Sequence, residues 1–278
     1  MTSAQFFPGK LYHRRTDIHG KFRGQERGGI ITPAEHNIVL LVTGHSGHQH
    51  GYEDKWSEDG SAFLYYGEGQ IGEMQFTKGN LAVRDHSANG KDVHLFKAVS
   101  GKKGWLQYVG QMVSAGYDLV DAPDRNGNTR RAIRFQLIPI EAFPGNTRGE
   151  PLYAPEDKEL RKDSLDQLRQ KALADAADAR TPRQRKAVYR RRSRAIRLYV
   201  LRRSVGHCEG CGRPAPFSTP SRDPYLEPHH IRRLTDGGPD HPRWVIAICP
   251  NCHRRVHYSG DSVEYNLALA EIVGKKES

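Results

Sequence analysis

Four cysteines and four histidines in the last third of this 278-residue chain have the types and spacing of metal chemistry. The cysteines form two C-x-x-C pairs, Cys208 with Cys211 and Cys249 with Cys252, and no thiol is left over. In a chain without a secretory signal such pairs read as a metal site rather than as disulfides. A glycine lies inside the first pair and Pro250-Asn251 inside the second, so each pair sits on a tight turn that presents two thiolates to one ion. Four thiolates complete a tetrahedral structural Zn²⁺ site, the constraint a module of about 70 residues needs to hold its fold. Alone, this pattern is a zinc ribbon, a binding or scaffolding element. The histidines add reactivity. His229 and His230 are adjacent in LEPHHIRRL, a strand-like segment whose successive side chains face opposite ways, so one imidazole can bind a metal while the other faces a water. His253 and His257 stand at i and i+4 on a helix predicted to begin near Asn251, which places both on one face. Three imidazoles then converge on one open-sided ion.

The segments HCEGC and PHHIRRLTDGGPDHPRWVIAICPNCHRRVHY resemble the HNH, or ββα-metal, nuclease family with its structural zinc knuckles. The resemblance implies a metal-dependent DNA endonuclease that cleaves a phosphodiester with one divalent cation, Mg²⁺ or Mn²⁺ or similar. It implies that His229 and His253 are metal ligands, that His257 is a third, as in the histidine-rich members, and that His230 is the general base. Elementary chemistry agrees, because a neutral imidazole near pH 7 accepts a proton while an ion stabilises charge developing on the phosphate. Arg254 and Arg255 are candidates to hold flanking phosphates. There is one departure. Many members carry an asparagine five residues before the third cysteine, where it helps to position the base, and this chain has Trp244 there. Asp240 or the main chain is left to take over that role.

The elements that must position these residues divide the chain by pattern. Up to about Ile140, short apolar or alternating segments (NIVLLVTG, SAFLYYG, DVHLFKAVS, GWLQYVGQM, AIRFQLIPI) alternate with Gly, Asp and Asn clusters and read as strands. They predict a mostly β domain, a barrel or twisted sheet, ending near Phe143-Pro144-Gly145. Leu160, Leu165, Leu168 and Leu173 then recur at helical spacing, Thr181-Pro182 interrupts, and a second helix is predicted from Pro182 to about Val205 with Val188, Ala195, Ile196 and Tyr199 on its apolar stripe. The fold class expected is α+β: residues 1–148 a β-rich reader, 149–204 a basic helical connector, 205–278 the zinc-stapled nuclease. Between Arg180 and Arg203 there are eleven Lys and Arg and no acidic residue, which equals the whole net charge of +11. A one-signed run directly before a metal site is expected to be a footprint for a polyanion. The mean hydropathy of −0.74 and the lack of any apolar window approaching about 18 residues predict no membrane span. The start, MTSAQFFPGKLYHRR, has no apolar core after a basic stretch, so a cytoplasmic location is expected.

The β-rich part holds a second candidate site. From Gly51 to His86, aromatic residues at Tyr52, Trp56, Phe63, Tyr65 and Tyr66 stand among carboxylates and glycines. Alternating aromatics in strands are usually core. Yet GYED (Gly51 to Asp54), YYGEG (Tyr65 to Gly69) and TKGNLA (Thr77 to Ala82), with GGIITP upstream, resemble in their order the SRA domain, a PUA-like barrel that reads modified cytosine. The resemblance implies base flipping into a pocket, with Tyr52 and Tyr65 as aromatic walls and Asp54 accepting from the cytosine amino group; Tyr66 or Asp59 are alternatives. An SRA-type reader joined to an HNH cutter resembles the modification-dependent restriction endonucleases of bacteria, with double-stranded DNA carrying 5-methylcytosine or a related base as partner, and a homodimer to cut both strands. Three other readings stay open: an HNH nuclease reading phosphorothioate, hydroxymethylcytosine or a sequence, a non-catalytic modified-DNA binder, and an RNA-processing enzyme on a PUA-like domain.

Overall fold

The computed structural model describes residues 6–44, 53–140, 157–174, 181–231 and 240–278. Contacts along the chain separate two compact units, one drawn from Met1–Phe143 and Ala176–Val188, the other from Pro144–Asp175 and Tyr189–Ser278.

The first unit is built on one sheet. Its strands are β1 (Leu11–His13), β2 (Ile30–Ile31), β3 (Ile38–Thr43), β4 (Lys55–Trp56), β5 (Phe63–Tyr66), β6 (Asp92–Ala98), β7 (Trp105–Pro123) and β8 (Thr129–Pro139), paired in the order β2-β3-β6-β7-β8-β5-β4. All five apolar segments singled out in the sequence are strands, and β3 and β6 pair in parallel, with IVLLVT and DVHLFKA buried almost throughout. A continuous apolar run is what a strand covered on both faces requires. The long β7 takes β1 beside its first residues and β8 from Met112 onward, and its register with β8 shifts between Ser114 and Tyr117.

Of the barrel and the twisted sheet expected, the described residues show an open sheet: the path ends in two-residue strands, β2 and β4, that do not pair with each other. Side chains do part of what hydrogen bonds between those edges would do. Asp54 accepts from Thr43 Oγ1 and from the Tyr66 amide, both at 2.8 Å, so it ties the end of β3 to the end of β5. Helices α1 (Gly20–Phe22) and α2 (Lys78–Arg84) complete the unit. The α2 segment, TKGNLA in the sequence, is locked to the turn after β5 by the buried Asn80. Its Oδ1 accepts from the Glu68 amide, and its Nδ2 donates to the carbonyls of Glu68 and Gln75. One apolar cluster joins Val39, Leu41, Tyr65, Val83, Leu95 and Phe135. Phe6, Tyr12, Phe96 and Tyr108 form an aromatic cluster of their own.

The second unit packs α3 (Leu165–Leu173), α4 (Pro182–Arg203), α5 (Pro250–Tyr258) and α6 (Ser262–Lys276) with the antiparallel pair β9 (Glu227–His230) and β10 (Val245–Ile248). Ser164 and Gln167 form a capping box before α3, and Thr181 and Gln184 make the same reciprocal pair at the start of α4. The first two turns of α4 belong to the first unit. From Tyr189 on, the helix builds the core of the second with Ala195, Ile196, Tyr199 and Val200. No helix among the described residues is long and apolar enough to cross a membrane.

Candidate metal centres and base pocket

The four cysteines come together as expected. Their sulfurs lie within 4.8 Å of one another. The first knuckle is shaped by main-chain bonds, Cys208 N to Arg213 O at 2.8 Å and Gly212 N to Cys208 O at 2.7 Å, and the Cys249 amide points at Cys208 Sγ from 3.2 Å. Gly210 has no room for a side chain, since a Cβ there would fall 2.7 Å from the Tyr265 hydroxyl and 3.0 Å from Leu269. Burial pushes the Cys208 and Cys252 thiols up from their ordinary range. Four sulfurs gathered around one point fit a cation, which supplies the charge that burial withholds from Cys208 and Cys252, and the all-sulfur set suits zinc.

The second cluster follows from the first. Cys249 is the N-cap of α5 and Pro250 its first residue, so the cysteine that holds the knuckle also sets where the helix starts. His253, whose amide donates to the Cys249 carbonyl, and His257 then fall one above the other on the inner face. Opposite them, β9 pairs with the fully buried VIAI of β10, with His229 across from Ile246 and His230 across from Val245. The period of two turns Glu227 and His229 toward α5 and His230 away from it. Ligand atoms of His229, His253 and His257 lie within 4.8 Å of one another, and their ring centroids are 4.9 to 5.4 Å apart. Three neutral nitrogens with one open side fit a single divalent ion.

The neighbours of this triad were less visible in the sequence. Glu227 Oε2 lies 2.5 Å from His253 Nδ1, a bond that holds the Glu227 carboxyl below its usual range and turns His253 Nε2 toward the cluster. Asn266, on α6, faces His229 Nε2 at 3.4 Å. On the other face, His230 Nε2 lies 3.7 Å from Asp240 Oδ1. Asp240 is 8% exposed, and its second oxygen has no hydrogen-bond partner among the described residues. Trp244 meets this region through its main chain, accepting from the Ile231 amide at 2.9 Å.

The arginines divide. Arg254 is exposed, with Tyr258 under its guanidinium at 5.7 Å, whereas Arg255 is paired with Asp261 and lies over the Tyr265 ring at 4.1 Å, so its charge is already answered. The basic run is also partly structural. Arg185 is buried against Asp118 at 2.7 Å, Arg194 faces Asp157 at 3.5 Å, and Arg202 donates to the carbonyls of Arg161 and Asp163. Arg203 is buried between Glu209 and Glu277, at 2.9 and 2.7 Å. Arg183, Arg190 and Arg191 are exposed and form the part of the run that faces solvent.

Of the base-pocket residues, Tyr52 lies outside the described residues. Asp54 sits at the edge between β3 and β5 with its charged form disfavoured by burial. Tyr65 is 2% exposed and packs in the apolar cluster, with its hydroxyl close against Gly29, where a Cβ would come within 2.6 Å. Tyr66, on the opposite face of the same strand, is half-buried. The structure therefore brings Asp54 to the tyrosine pair but presents Tyr66, rather than Tyr65, toward the outside.

This arrangement defines a β-rich unit with a carboxylate and two tyrosines at one edge, followed by a β-β-helix centre of three imidazoles beside a four-cysteine cluster. Residues 8–150 match the family described as "ScoMcrA-like, SRA domain", half of the chain, and the chain belongs to that family. Residues 208–259 match "HNH endonuclease". A curated relative, "Type IV methyl-directed restriction enzyme EcoKMcrA" of Escherichia coli (strain K12), is 35% identical over 151 residues, covering 52% of this chain and 54% of the relative. The chain thus spans about half the length of that relative. Among solved structures, "Structure of the Type IV phosphorothioation-dependent restriction endonuclease ScoMcrA" is similar at 25% identity and a TM-score of 0.43, covering 99% of this chain and 65% of that one. "Sulfur binding domain and SRA domain of ScoMcrA complexed with phosphorothioated DNA" is similar at 22% identity and a TM-score of 0.42, covering 57% and 45%.

Proposed function

We propose that this protein is a modification-dependent DNA endonuclease, in which the SRA-type unit reads modified cytosine in duplex DNA and the HNH-type centre hydrolyses a phosphodiester bond. The observation that carries the reading is the convergence of His229, His253 and His257 on one side of β9 with His230 and Asp240 on the other, within a segment that matches HNH endonucleases. His229, His253 and His257 would hold a divalent ion, Mg²⁺ or Mn²⁺, and the four cysteines a structural Zn²⁺. When bound, the divalent ion supplies Lewis-acid stabilisation of charge on the phosphate oxygens. His230 faces away from the ligand set, takes a proton from the attacking water, and is oriented by Asp240. Arg254 is placed to meet a flanking phosphate. In the reader, Asp54 accepts from the amino group of a flipped cytosine between Tyr52 and a tyrosine of β5, Tyr65 or its half-buried neighbour Tyr66. A centre of this kind cuts one strand at a time, so a homodimer is the assembly that gives a double-strand break. The protein acts on DNA in the cytoplasm of a bacterium.

The test is a cleavage panel with Mg²⁺ or Mn²⁺ on plasmids that are unmodified, 5-methylated, hydroxymethylated or phosphorothioated. Cutting of the 5-methylated plasmid at least tenfold faster than the unmodified one is expected, the discrimination of about 1–3 kcal/mol that one methyl group provides. Equal rates on methylated and unmodified DNA remove the base reader, and cutting confined to phosphorothioated DNA moves recognition to the backbone. His230→Ala is expected to abolish cutting while DNA binding persists, so that retained cutting removes His230 as the base.

A further inference from the structure

His229 is held from outside the matched nuclease segment. That segment ends at 259, and Asn266 comes seven residues later, on α6. Its carboxamide spans the residue between its two contacts. One end meets His229 Nε2 at 3.4 Å, and the other donates to the carbonyl of Ile231, so the general-base candidate His230 sits between the two anchors. The orientation of the amide is settled by chemistry. A carbonyl can only accept, so the atom facing Ile231 O is Nδ2, and Oδ1 is the atom that faces His229. Oδ1 in turn can only accept, so His229 Nε2 carries the proton and its Nδ1 is the lone-pair nitrogen. Ile231 is held a second time, by its amide bond to the Trp244 carbonyl. The strand end that carries both histidines is therefore fixed on one side by the main chain at the position where an asparagine was expected, and on the other by an asparagine from a different helix.

We propose that Asn266 is the positioning residue of the histidine centre: it sets His229 as the Nε2–H tautomer with Nδ1 directed at the ion, and fixes the backbone on which His230 is presented. The inference rests on the reading of His229, His253 and His257 as the ligand set. It makes His229 the mirror of His253, whose Nδ1 is turned to Glu227 and whose Nε2 faces the cluster. These two ligands then each have the outer nitrogen satisfied by a side-chain oxygen, one from a carboxylate and one from an amide, an outer shell that raises ligand basicity and orients the ring.

Metal binding tests this without DNA. The zinc-loaded full-length protein is titrated with Mn²⁺, and with Co²⁺ to follow its visible absorption, as wild type, Asn266→Leu and Asn266→Asp. Asn266→Leu, which removes both contacts, is expected to weaken Mn²⁺ binding about 10- to 100-fold, while Asn266→Asp, which keeps the acceptor for His229, stays within about threefold of wild type. One zinc per chain is expected in all three. Unchanged Mn²⁺ affinity in a folded Asn266→Leu overturns the proposal, as does an equal loss in both variants. If Asn266→Leu loses its zinc or fails to fold, the comparison of Asn266→Asp with wild type is joined by a direct reading of the tautomer. Long-range ¹H–¹⁵N spectra of the wild-type protein free of Mn²⁺ should show His229 protonated at Nε2, and protonation at Nδ1 overturns the assignment. These readouts separate the proposal from the proposed activity, since a protein that cuts none of the DNAs in the panel still reports its Mn²⁺ affinity and its tautomer.

Discussion

At the level of single residues, the two faces of β9 assign different work to neighbouring carboxylates. Glu227 shares a face with His229 and touches a metal-holding candidate, while Asp240 meets only the opposite face, where His230 stands. Substitutions that keep shape and remove charge should therefore separate two quantities. Glu227→Gln is expected to weaken Mn²⁺ binding by about tenfold or more, because the His253 ring loses a charged acceptor for its Nδ1 proton. Asp240→Asn should leave Mn²⁺ affinity unchanged and lower the cleavage rate at saturating metal, on the order of 10- to 100-fold, as expected when a general base loses its orienting partner. Titration calorimetry beside single-turnover cleavage measures both. A loss of metal affinity in Asp240→Asn would place Asp240 with the ligands and not with the base. The cysteines and histidines were legible in the sequence because a ligand set leaves local spacings, three and four residues, that survive translation into a turn and a helix face. Glu227 and Asn266 were not, because their contacts lie 26 and 37 residues away, and a lone Glu or Asn carries no periodicity.

Elements were legible to the degree that periodicity is local. The five apolar segments of the β-rich part became strands, and Pro182 does open α4, where Thr181 and Gln184 form the capping pair. What alternation could not tell is which face of β5 looks inward: Tyr65 is buried in the core and Tyr66 packs against it half-buried, and the two are equivalent until the partner strand is known. Helix α2 was hidden because TKGNLA has too few residues for a helical period and includes a glycine. The basic run was read as one electrostatic surface, yet a charge count cannot see the acids that arrive from elsewhere in the chain. Arg203 is the case with the largest consequence. It lies at the end of α4, buried with Glu209 of the first knuckle and Glu277 after α6, and also donates to the carbonyl of Val245 on β10. Arg203→Met leaves the buried Glu209 and Glu277 with only the longer, partly exposed partners Lys276 and Arg169, each at 3.5 Å, and should destabilise the second unit by about 3 kcal/mol. A fall in Tm on the order of 10 °C follows for a unit of this size. Adding Glu209→Gln and Glu277→Gln should restore much of it, because the penalty comes from carboxylates that Lys276 and Arg169 compensate only in part. No recovery in the triple variant would mean that packing of the arginine stem, and not its charge, is what the unit requires.

For the whole molecule, the separation into two units has a thermodynamic consequence. The cysteine sulfurs are part of the second unit's core, where Cys208, Cys249 and Cys252 pack with Leu226, Ile246 and Ile248, and among the described residues both candidate ligand groups lie in that unit. Removing a structural ion takes away the charge that makes a cluster of buried thiolates tolerable, and with it the start of α5, which begins at Cys249. Treatment with a zinc chelator is therefore expected to abolish the unfolding transition of the second unit and to leave a cooperative transition from the first. Differential scanning calorimetry resolves the two, and cysteine accessibility to a thiol reagent should rise together with the loss. Binding to modified DNA, if it resides in the SRA-type unit, should persist in the chelated protein. A single transition that disappears as a whole on chelation would show that the first unit depends on the second for its stability, and reading and cutting could then not be separated by removing the zinc.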